Sequence, residues 1–162
     1  MKKIIVIGCP GSGKSTFARK LHEQTKIPLF YLDMLYHRPD RTTASPQEFD
    51  EKLCEILRQE EWIIDGNYIR TLSLRLKACD TVFWLDYSLE VCLQGIEARF
   101  GQPRPDMPWV ETERDEEFME FIRQFSQTAR PQIVKQLEEN QDKKIIIFRS
   151  RMEEEEYWEN KE

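Results

Sequence analysis

Short runs of apolar and β-branched residues alternate along the chain with stretches that have helical spacing. The apolar runs predict strands at residues 3–7, 28–32, 62–64, 81–85 and 144–148. Such alternation is typical of βαβ units, which build a parallel sheet. The first run is apolar at nearly every position, as expected of a strand that is buried on both faces. We therefore predict an α/β fold with three layers, in which a five-stranded parallel sheet lies between helices.

Apolar residues that recur every three or four positions predict the helices. Phe17 and Leu21 share one face of a helix that begins near Gly13. Ser45 is followed by a proline and then by a glutamate three positions after the serine, which is a capping box with proline in the first helical position. Ser88 is predicted to cap the helix that follows the fourth strand.

The second half of the chain contains one irregular stretch and two further helices. Residues 101–108 are rich in proline and glycine and predict a surface loop. A helix follows from Asp115, and Pro131 is expected to interrupt or kink it. Residues 152–158 predict a short acidic helix whose charges face solvent. Since there are no repeats and no linker, we expect a single domain over residues 1–162.

Composition and charge exclude several classes of protein. The chain has 162 residues, of which 33% are charged and 40% hydrophobic, and its net charge is -6. An acidic chain has no excess of cations with which to bind a polyanion, so direct nucleic-acid binding is disfavoured. The longest fully apolar runs, among them residues 4–7, are only four residues long, so we expect no membrane segment. The four cysteines lack metal-binding or redox spacing, and we expect buried thiols in a cytoplasmic protein.

The segment from Gly8 to Ser15, GCPGSGKS, matches the phosphate-loop pattern G-x-x-x-x-G-K-[ST] between a predicted strand and a predicted helix. Glycines let the backbone wrap around phosphate oxygens, and the helix N-terminus adds partial positive charge. Lys14 is expected to bridge the β- and γ-phosphates, and the Ser15 hydroxyl to ligate Mg²⁺. The candidate nucleotide-binding residues are Gly8, Pro10, Gly11, Ser12, Gly13, Lys14, Ser15 and Thr16.

Three aspartates follow predicted strands, where parallel α/β sheets form their ligand crevice. Asp65 and Asp86 are candidate Mg²⁺ ligands together with Ser15. Asp33 is a candidate general base, because a hydroxyl acceptor loses a proton during phosphoryl transfer whereas a phosphate acceptor needs cations instead. The alternative for each aspartate is that it caps a turn or a helix.

Arginines flank the loop at 101–108 on both sides. Arg99, Arg114 and Arg123 are candidate catalytic residues, because planar bidentate donors stabilise the charge that spreads over a transferring phosphoryl group. The alternative is a surface network of ion pairs with the glutamates around Arg114.

The motif at residues 11–16 in so short a chain resembles the adenylate-kinase-like P-loop kinases. Within that superfamily the chain looks most like the bacterial DNA topology-modulation proteins. That resemblance depends on a Leu-Asp pair at 32–33, the sequence WIIDGNY at 62–68, Cys-Asp-Thr at 79–81 and Arg-Pro-Asp-Met at 104–107. It implies a P-loop NTPase fold with a short lid at about residues 101–114, and ATP and Mg²⁺ as cofactors.

The same resemblance implies roles for individual residues. The block that begins at Asp65 is similar to the adenylate-kinase block in which an aspartate lies near the metal and an arginine binds the acceptor. This places Asn67 and Arg70 at the acceptor, beside Asp33 and Asp65. Arg99 matches the arginine that leads into the lid. The stretch that contains Arg114 and Arg123 matches the one that closes on the triphosphate, and Arg149 matches the region that packs the adenine ring.

Two hypotheses of different kinds follow. The first is an Mg-ATP-dependent kinase that acts on a nucleotide, a nucleoside or another small molecule. The second is a nucleotide-binding regulatory module with little turnover, in which ATP closes the lid and a partner recognises the closed state. Direct binding to DNA, which the family name suggests, is a third hypothesis that the acidity of the chain disfavours.

Overall fold

A parallel five-stranded sheet forms the centre of the structure, a computed structural model that describes residues 1–111 and 115–161. The strands are β1 (Lys3–Gly8), β2 (Leu29–Tyr31), β3 (Trp62–Asp65), β4 (Thr81–Leu85) and β5 (Lys144–Phe148). Their order across the sheet is β2-β3-β1-β4-β5, and every neighbouring pair is parallel. The predicted α/β fold is confirmed.

Seven helices surround this sheet in the described part of the chain. They are α1 (Lys14–Thr25), α2 (Leu32–Tyr36), α3 (Pro46–Leu57), α4 (Ile69–Ala78), α5 (Leu89–Arg99), α6 (Glu116–Glu138) and α7 (Arg151–Glu159). None of these helices combines the length and the apolar composition that a bilayer crossing requires.

Helices cover both faces of the sheet. Residues 4–7 of the central strand β1 are all completely buried, although successive side chains of a strand point to opposite faces. Helix α1 contacts β1, β2 and β3, and Trp158 of α7 packs on Phe17 of α1 with ring centres 5.1 Å apart. Helix α4 contacts β1 and α6, and α6 also contacts α5.

The predicted helix caps are present. The Ser45 hydroxyl accepts a hydrogen bond from the Glu48 backbone N–H at 3.2 Å, and Ser88 accepts one from Val91 at 3.3 Å. Asp115 accepts from the first-turn N–H groups of α6. Each bond satisfies a helical donor that has no partner within its helix.

The structure differs from the sequence prediction in three elements. Strand β2 ends at Tyr31, so Asp33 lies in the first turn of α2 rather than directly after a strand. Helix α4 was not predicted from the hydrophobic pattern. Helix α6 continues through Pro131 without interruption. Since Pro131 is exposed, water can hydrate the carbonyl that loses its helical donor there.

Candidate active site

The phosphate loop connects β1 to α1 and packs closely on α5. Gly11 and Gly13 have φ angles of +88° and +92°, which only glycine adopts without strain. A Cβ atom on Gly11 would lie 2.0 Å from the Cys92 carbonyl oxygen, and one on Gly95 would lie 1.9 Å from the Gly11 oxygen. The loop can therefore approach the α5 backbone only because both facing positions are glycine.

The loop opens onto a cleft of about 410 Å³ with a strongly cationic lining. The cationic lining residues are Lys14, Arg19, Arg99, Arg104 and Arg151, and the acidic ones are Asp106 and Glu154. No described side chain caps the N-terminus of α1, so its first-turn N–H groups add to the positive end of the helix dipole. Such a surface suits a polyphosphate.

Two donors near this cleft have no hydrogen-bond partner within the described residues. They are Nη1 of Arg19 and Nε of Arg99, and both atoms are buried. Burial lowers the pKa of Arg99, and the neighbouring Arg104 lowers it further. A buried donor without a partner is costly, and an anion in the cleft would supply acceptors for both arginines.

Ser15 and Asp65 form the candidate Mg²⁺ site. The Ser15 hydroxyl donates to Asp65 Oδ2 at 2.5 Å, whereas the buried Oδ1 has no partner among the described residues. Burial raises the pKa of Asp65 to about 6, and Lys14 and the Ser15 bond act in the opposite direction. Mg²⁺ in phosphate sites typically binds one or two protein oxygens and takes its other ligands from phosphates and water. The pair therefore fits this ion.

Asp86, the other predicted metal ligand, has cationic partners instead. Arg130 donates to its two oxygens at 3.0 and 2.9 Å, and Arg149 lies 3.7 Å from the same carboxylate. The structure therefore brings Asp86 together with arginines and shows no contact with Ser15. The Arg149 side chain likewise contacts Asp86, although the resemblance placed this arginine beside adenine.

Asn67 binds the start of the phosphate loop through its side chain. Its Oδ1 accepts from the Gly8 N–H at 3.0 Å, and its Nδ2 donates to the Gly8 carbonyl at 2.7 Å. Both the oxygen and the nitrogen of the side-chain amide are thus hydrogen-bonded to the backbone of Gly8. The predicted acceptor role of Asn67 has no contact in support, because the side chain faces the loop.

Arg75 organises the turn around Asn67 and was not singled out from sequence. This completely buried guanidinium donates to the carbonyls of Gly66 and Tyr68 at 3.0 Å each, and also to that of Asn67. Burial lowers the pKa of Arg75 to about 9. Three consecutive carbonyls are thereby held by one side chain, which explains how Tyr68 is kept in its left-handed conformation with φ of +37°.

Tyr68 connects this turn to Asp33. Its hydroxyl donates to Asp33 Oδ1 at 2.6 Å. Burial and the charge of Asp33 raise the pKa of Tyr68, so the hydroxyl stays protonated and keeps donating. Tyr68 thus connects Asp33 to the turn that follows Asp65.

Two further predicted site residues, Arg70 and Arg123, do not line the phosphate-loop cleft. Arg70 makes a bidentate ion pair with Asp50 at 3.0 and 2.8 Å on the exposed side of α4. Arg123 pairs with Glu120 at 3.2 Å on the exposed surface of α6. Arg114 lies outside the described residues, as do all of 112–114.

The first part of the predicted lid packs against the cleft through ion pairs. Arg104 lies 2.9 Å from Glu111 and 3.4 Å from Asp106, and Asp106 is buried although it is charged. Arg19 of α1 lies 3.9 Å from the same carboxylate. Asp106 therefore connects this segment to the helix that follows the phosphate loop, a role that its position in an irregular stretch did not reveal.

Arg151 supports the phosphate loop from the C-terminal helix. It donates to the Ser12 carbonyl at 2.6 Å, and its guanidinium lies 4.9 Å from the centre of the Tyr87 ring. Sequence reasoning selected Arg149 in the same Arg-Ser-Arg stretch. The distinguishing signal is Ser150, which caps α7 and makes Arg151 its first helical residue.

Proteins named as adenylate kinases match parts of the chain. A segment of 108 residues is 31% identical to an adenylate kinase of Xylella fastidiosa (strain M12) and covers 62% of this chain and 56% of that protein. Another of 73 residues is 34% identical to "Probable adenylate kinase 6, chloroplastic" of Oryza sativa subsp. japonica, covering 45% of this chain and 25% of that protein. The chain thus spans between a quarter and just over half of the length of these relatives. No protein-family profile matches it.

Solved structures match over nearly the whole chain. Shikimate kinase from Acinetobacter baumannii in complex with shikimate superposes with a TM-score of 0.62 at 18% identity, covering 93% of this chain and 85% of that one. Shikimate kinase from Bacteroides thetaiotaomicron gives 0.59 at 17% identity, covering 90% and 84%. At such identities the likeness shows the fold.

Proposed function

Within the adenylate-kinase-like P-loop kinase superfamily that these relatives indicate, we propose that the chain is an Mg²⁺- and ATP-dependent phosphotransferase. Its acceptor is a nucleotide, a nucleoside or another small molecule. The proposal includes a location in the cytoplasm, where both ATP and Mg²⁺ are available. It also includes membership of the bacterial topology-modulation family, which the Asp-Gly-Asn-Tyr block at 65–68 supports.

The observation that carries this proposal is the pairing of Ser15 with Asp65 at the base of a cationic cleft. Lys14 and Ser15 line this cleft together with the arginines, and Asp65 is buried with one oxygen unpartnered among the described residues. Bound Mg²⁺ would neutralise charge on the phosphate oxygens that Lys14 and the arginines contact. A purely structural loop gains nothing from burying a carboxylate in this way.

Substitution of Lys14 tests the proposal. ADP formation from Mg-ATP should be measured with a panel of nucleosides, nucleoside monophosphates and small metabolic alcohols, one acceptor at a time. We expect one class of acceptor to accelerate ADP release, and we expect Lys14→Ala to lower that rate at least about a hundredfold, since an entire charged contact to the transferring group is lost.

The matched control is Lys135→Ala, which removes an exposed lysine near the end of α6. This variant should keep the wild-type rate. If no acceptor accelerates ADP release, or if Lys14→Ala retains full activity, the chain is not a kinase of this type.

The regulatory hypothesis has one observation in its favour. Arg104 is occupied by two acidic neighbours, Asp106 and Glu111, rather than directed at the phosphate loop alone. A nucleotide-sensing protein would use such a segment to report binding rather than to promote transfer. The regulatory hypothesis predicts tight ATP binding with no acceptor-dependent turnover, and a partner protein that is recovered only when ATP is present.

A further inference from the structure

A second cleft, of about 520 Å³, lies between α3 and the start of α4. Its lining includes the rings of Tyr36, Phe49 and Tyr68. The Tyr68 ring centre is 5.6 Å from that of Tyr36, and these two half-buried rings form the accessible aromatic surface. Phe49 is only 2% exposed and packs on Tyr68, with ring centres 5.2 Å apart. Such a surface is suited to a flat ring, because aromatic faces stack in offset or tilted arrangements.

A series of hydrogen bonds connects this aromatic cleft to the phosphate loop. Tyr68 belongs to the turn that Arg75 holds, and the preceding residue, Asn67, is hydrogen-bonded to Gly8. The Tyr68 hydroxyl reaches Asp33 at 2.6 Å. Besides the larger effects of burial, the charge of Asp33 acts to raise the pKa of Asp65 and that of Arg99, so this carboxylate lies close enough to the phosphate-loop cleft to act on both groups.

The charges around the cleft favour a neutral occupant. Its charged lining residues are Glu48, which pairs with Arg38, and Arg70, which pairs with both oxygens of Asp50. A phosphate on the acceptor would have to displace Asp50 from Arg70, and the Asp33 carboxylate would repel it. A hydroxyl group, in contrast, can donate a hydrogen bond to Asp33.

We propose that the phosphoryl acceptor is a neutral nucleoside, with its base against Tyr36 and Tyr68 and its hydroxyl directed to Asp33. This inference rests on the proposed kinase function and narrows its acceptor to one chemical class. In the transfer, the hydroxyl oxygen forms a bond to the γ-phosphorus of ATP. The bond from that phosphorus to the β–γ bridging oxygen breaks, ADP departs with the electron pair, and the hydroxyl proton passes to the Asp33 carboxylate.

Binding can be measured separately from turnover. Adenosine, guanosine, cytidine and thymidine, and their 5′-monophosphates, are titrated by calorimetry into the full chain saturated with Mg²⁺ and a non-hydrolysable ATP analogue. We expect at least one nucleoside to bind ten times more tightly than its own monophosphate. Tighter binding of the monophosphate, or binding of neither compound, overturns the nucleoside inference.

The same titration separates the two proposals. If the ATP analogue itself does not bind, the proposed kinase function fails and the nucleoside inference fails with it. If the analogue binds and monophosphates bind more tightly than nucleosides, only the nucleoside inference is wrong.

Two conservative variants test the roles of Asp33 and Tyr68. Asp33→Asn should lower kcat about a hundredfold through loss of the base, with a much smaller change in the KM of the nucleoside. Tyr68→Phe keeps the ring, so KM should stay within about twofold while kcat falls about tenfold. Tyr157→Phe on α7 is the matched control and should leave both constants unchanged. A rise in KM without a fall in kcat in Tyr68→Phe would contradict the assigned role.

Discussion

Neighbouring residues at the end of β3 and in the turn that follows it contact different parts of the site. Asp65 faces Ser15, Asn67 binds the phosphate loop, and Tyr68 reaches Asp33. Arg75 makes this arrangement possible, because its guanidinium donates to the carbonyls of Gly66, Asn67 and Tyr68 within the turn. The identity of Asp65 as a candidate metal ligand was visible from sequence, since it follows an apolar strand. The contact between Asn67 and Gly8 could not be predicted from the sequence, because the two residues are far apart along the chain.

Replacement of Asn67 should weaken ATP binding. Asn67→Ala leaves the N–H and carbonyl of Gly8 without their side-chain partner, which should destabilise the fold by about 1–3 kcal/mol. Because the start of the phosphate loop loses its position, we also expect the Kd of ATP to rise about tenfold, as measured by calorimetry.

Asn140→Ala is the matched control for this change. Asn140 donates to one carbonyl at the end of α6, at 2.8 Å. The Asn140→Ala substitution should destabilise the protein slightly and leave the Kd of ATP unchanged. Unchanged ATP affinity in Asn67→Ala would mean that the loop keeps its position without the amide.

The buried carboxylate of Asp65 should make ligand-free protein less stable at neutral pH. Burial raises its pKa to about 6 from 3.8, so the folded state binds a proton more tightly than the unfolded state. This contribution is complete below about pH 4 and is lost as the pH rises through about 6. The asparagine in Asp65→Asn does not titrate, so the variant lacks this pH-dependent contribution. The difference in the free energy of unfolding between variant and wild type should therefore shift by about 1 kcal/mol in favour of the variant when the pH rises from 5 to 7.

Urea denaturation without nucleotide or Mg²⁺ at the two pH values measures this difference. Addition of Mg²⁺ and ATP at pH 7 should stabilise the wild type far more than Asp65→Asn, because the variant has lost a ligand. An equal response of the two proteins to Mg²⁺ and ATP would exclude Asp65 from the metal site.

At the scale of elements, local patterns predicted the strands and the capped helices, whereas two short or unusual helices were missed. Ser45 and Ser88 cap their helices through bonds to residues three positions later, which a sequence displays directly. Helix α4 is preceded by Tyr68, its N-cap, in a left-handed conformation, and it buries the guanidinium of Arg75. Both features obscure the helical pattern, and both are stabilised by contacts outside the helix.

Helix α7 should influence ATP binding through one residue. Arg151→Gln removes the charge-assisted bond to the Ser12 carbonyl and the contact with the Tyr87 ring. We expect ATP affinity to fall about tenfold or more, since hydrogen bonds to charged groups contribute about 1.5–3 kcal/mol. Calorimetry of the single variant measures the change.

Comparison with Arg149→Gln identifies which arginine acts on the nucleotide site. Arg149 is largely exposed and lies 3.7 Å from Asp86, so its loss should change ATP affinity much less than the loss of Arg151. The reverse order would support the position beside adenine that the family resemblance implied for Arg149.

At the scale of the whole molecule, charge is distributed unevenly. The net charge is -6, yet five cationic side chains line the cleft at the phosphate loop against two acidic ones. The molecule as a whole should repel a long polyanion, whereas the cleft attracts a small one. Composition predicted the first property, and only the folded arrangement of α1, α5 and α7 with the lid segment shows the second.

Sequence-based prediction of the site was therefore most successful where function depends on adjacent residues. The phosphate loop is one continuous segment, and its glycines are required by local backbone geometry. The environments of Asp86 and Arg70 depend instead on Arg130 and Asp50, which are distant in the chain. Their ion pairs follow from packing that no single-sequence pattern encodes.

The fate of the γ-phosphorus of ATP tests the central claim most directly. Phosphorus-31 NMR should follow Mg-ATP mixed with wild-type protein and each acceptor in turn, beside the Lys14→Ala variant. The account predicts that the γ-phosphate signal is replaced by a phosphomonoester signal from the acceptor while ADP accumulates, and that Lys14→Ala prevents both changes. Release of inorganic phosphate alone, or an unchanged ATP spectrum with every acceptor, would contradict it.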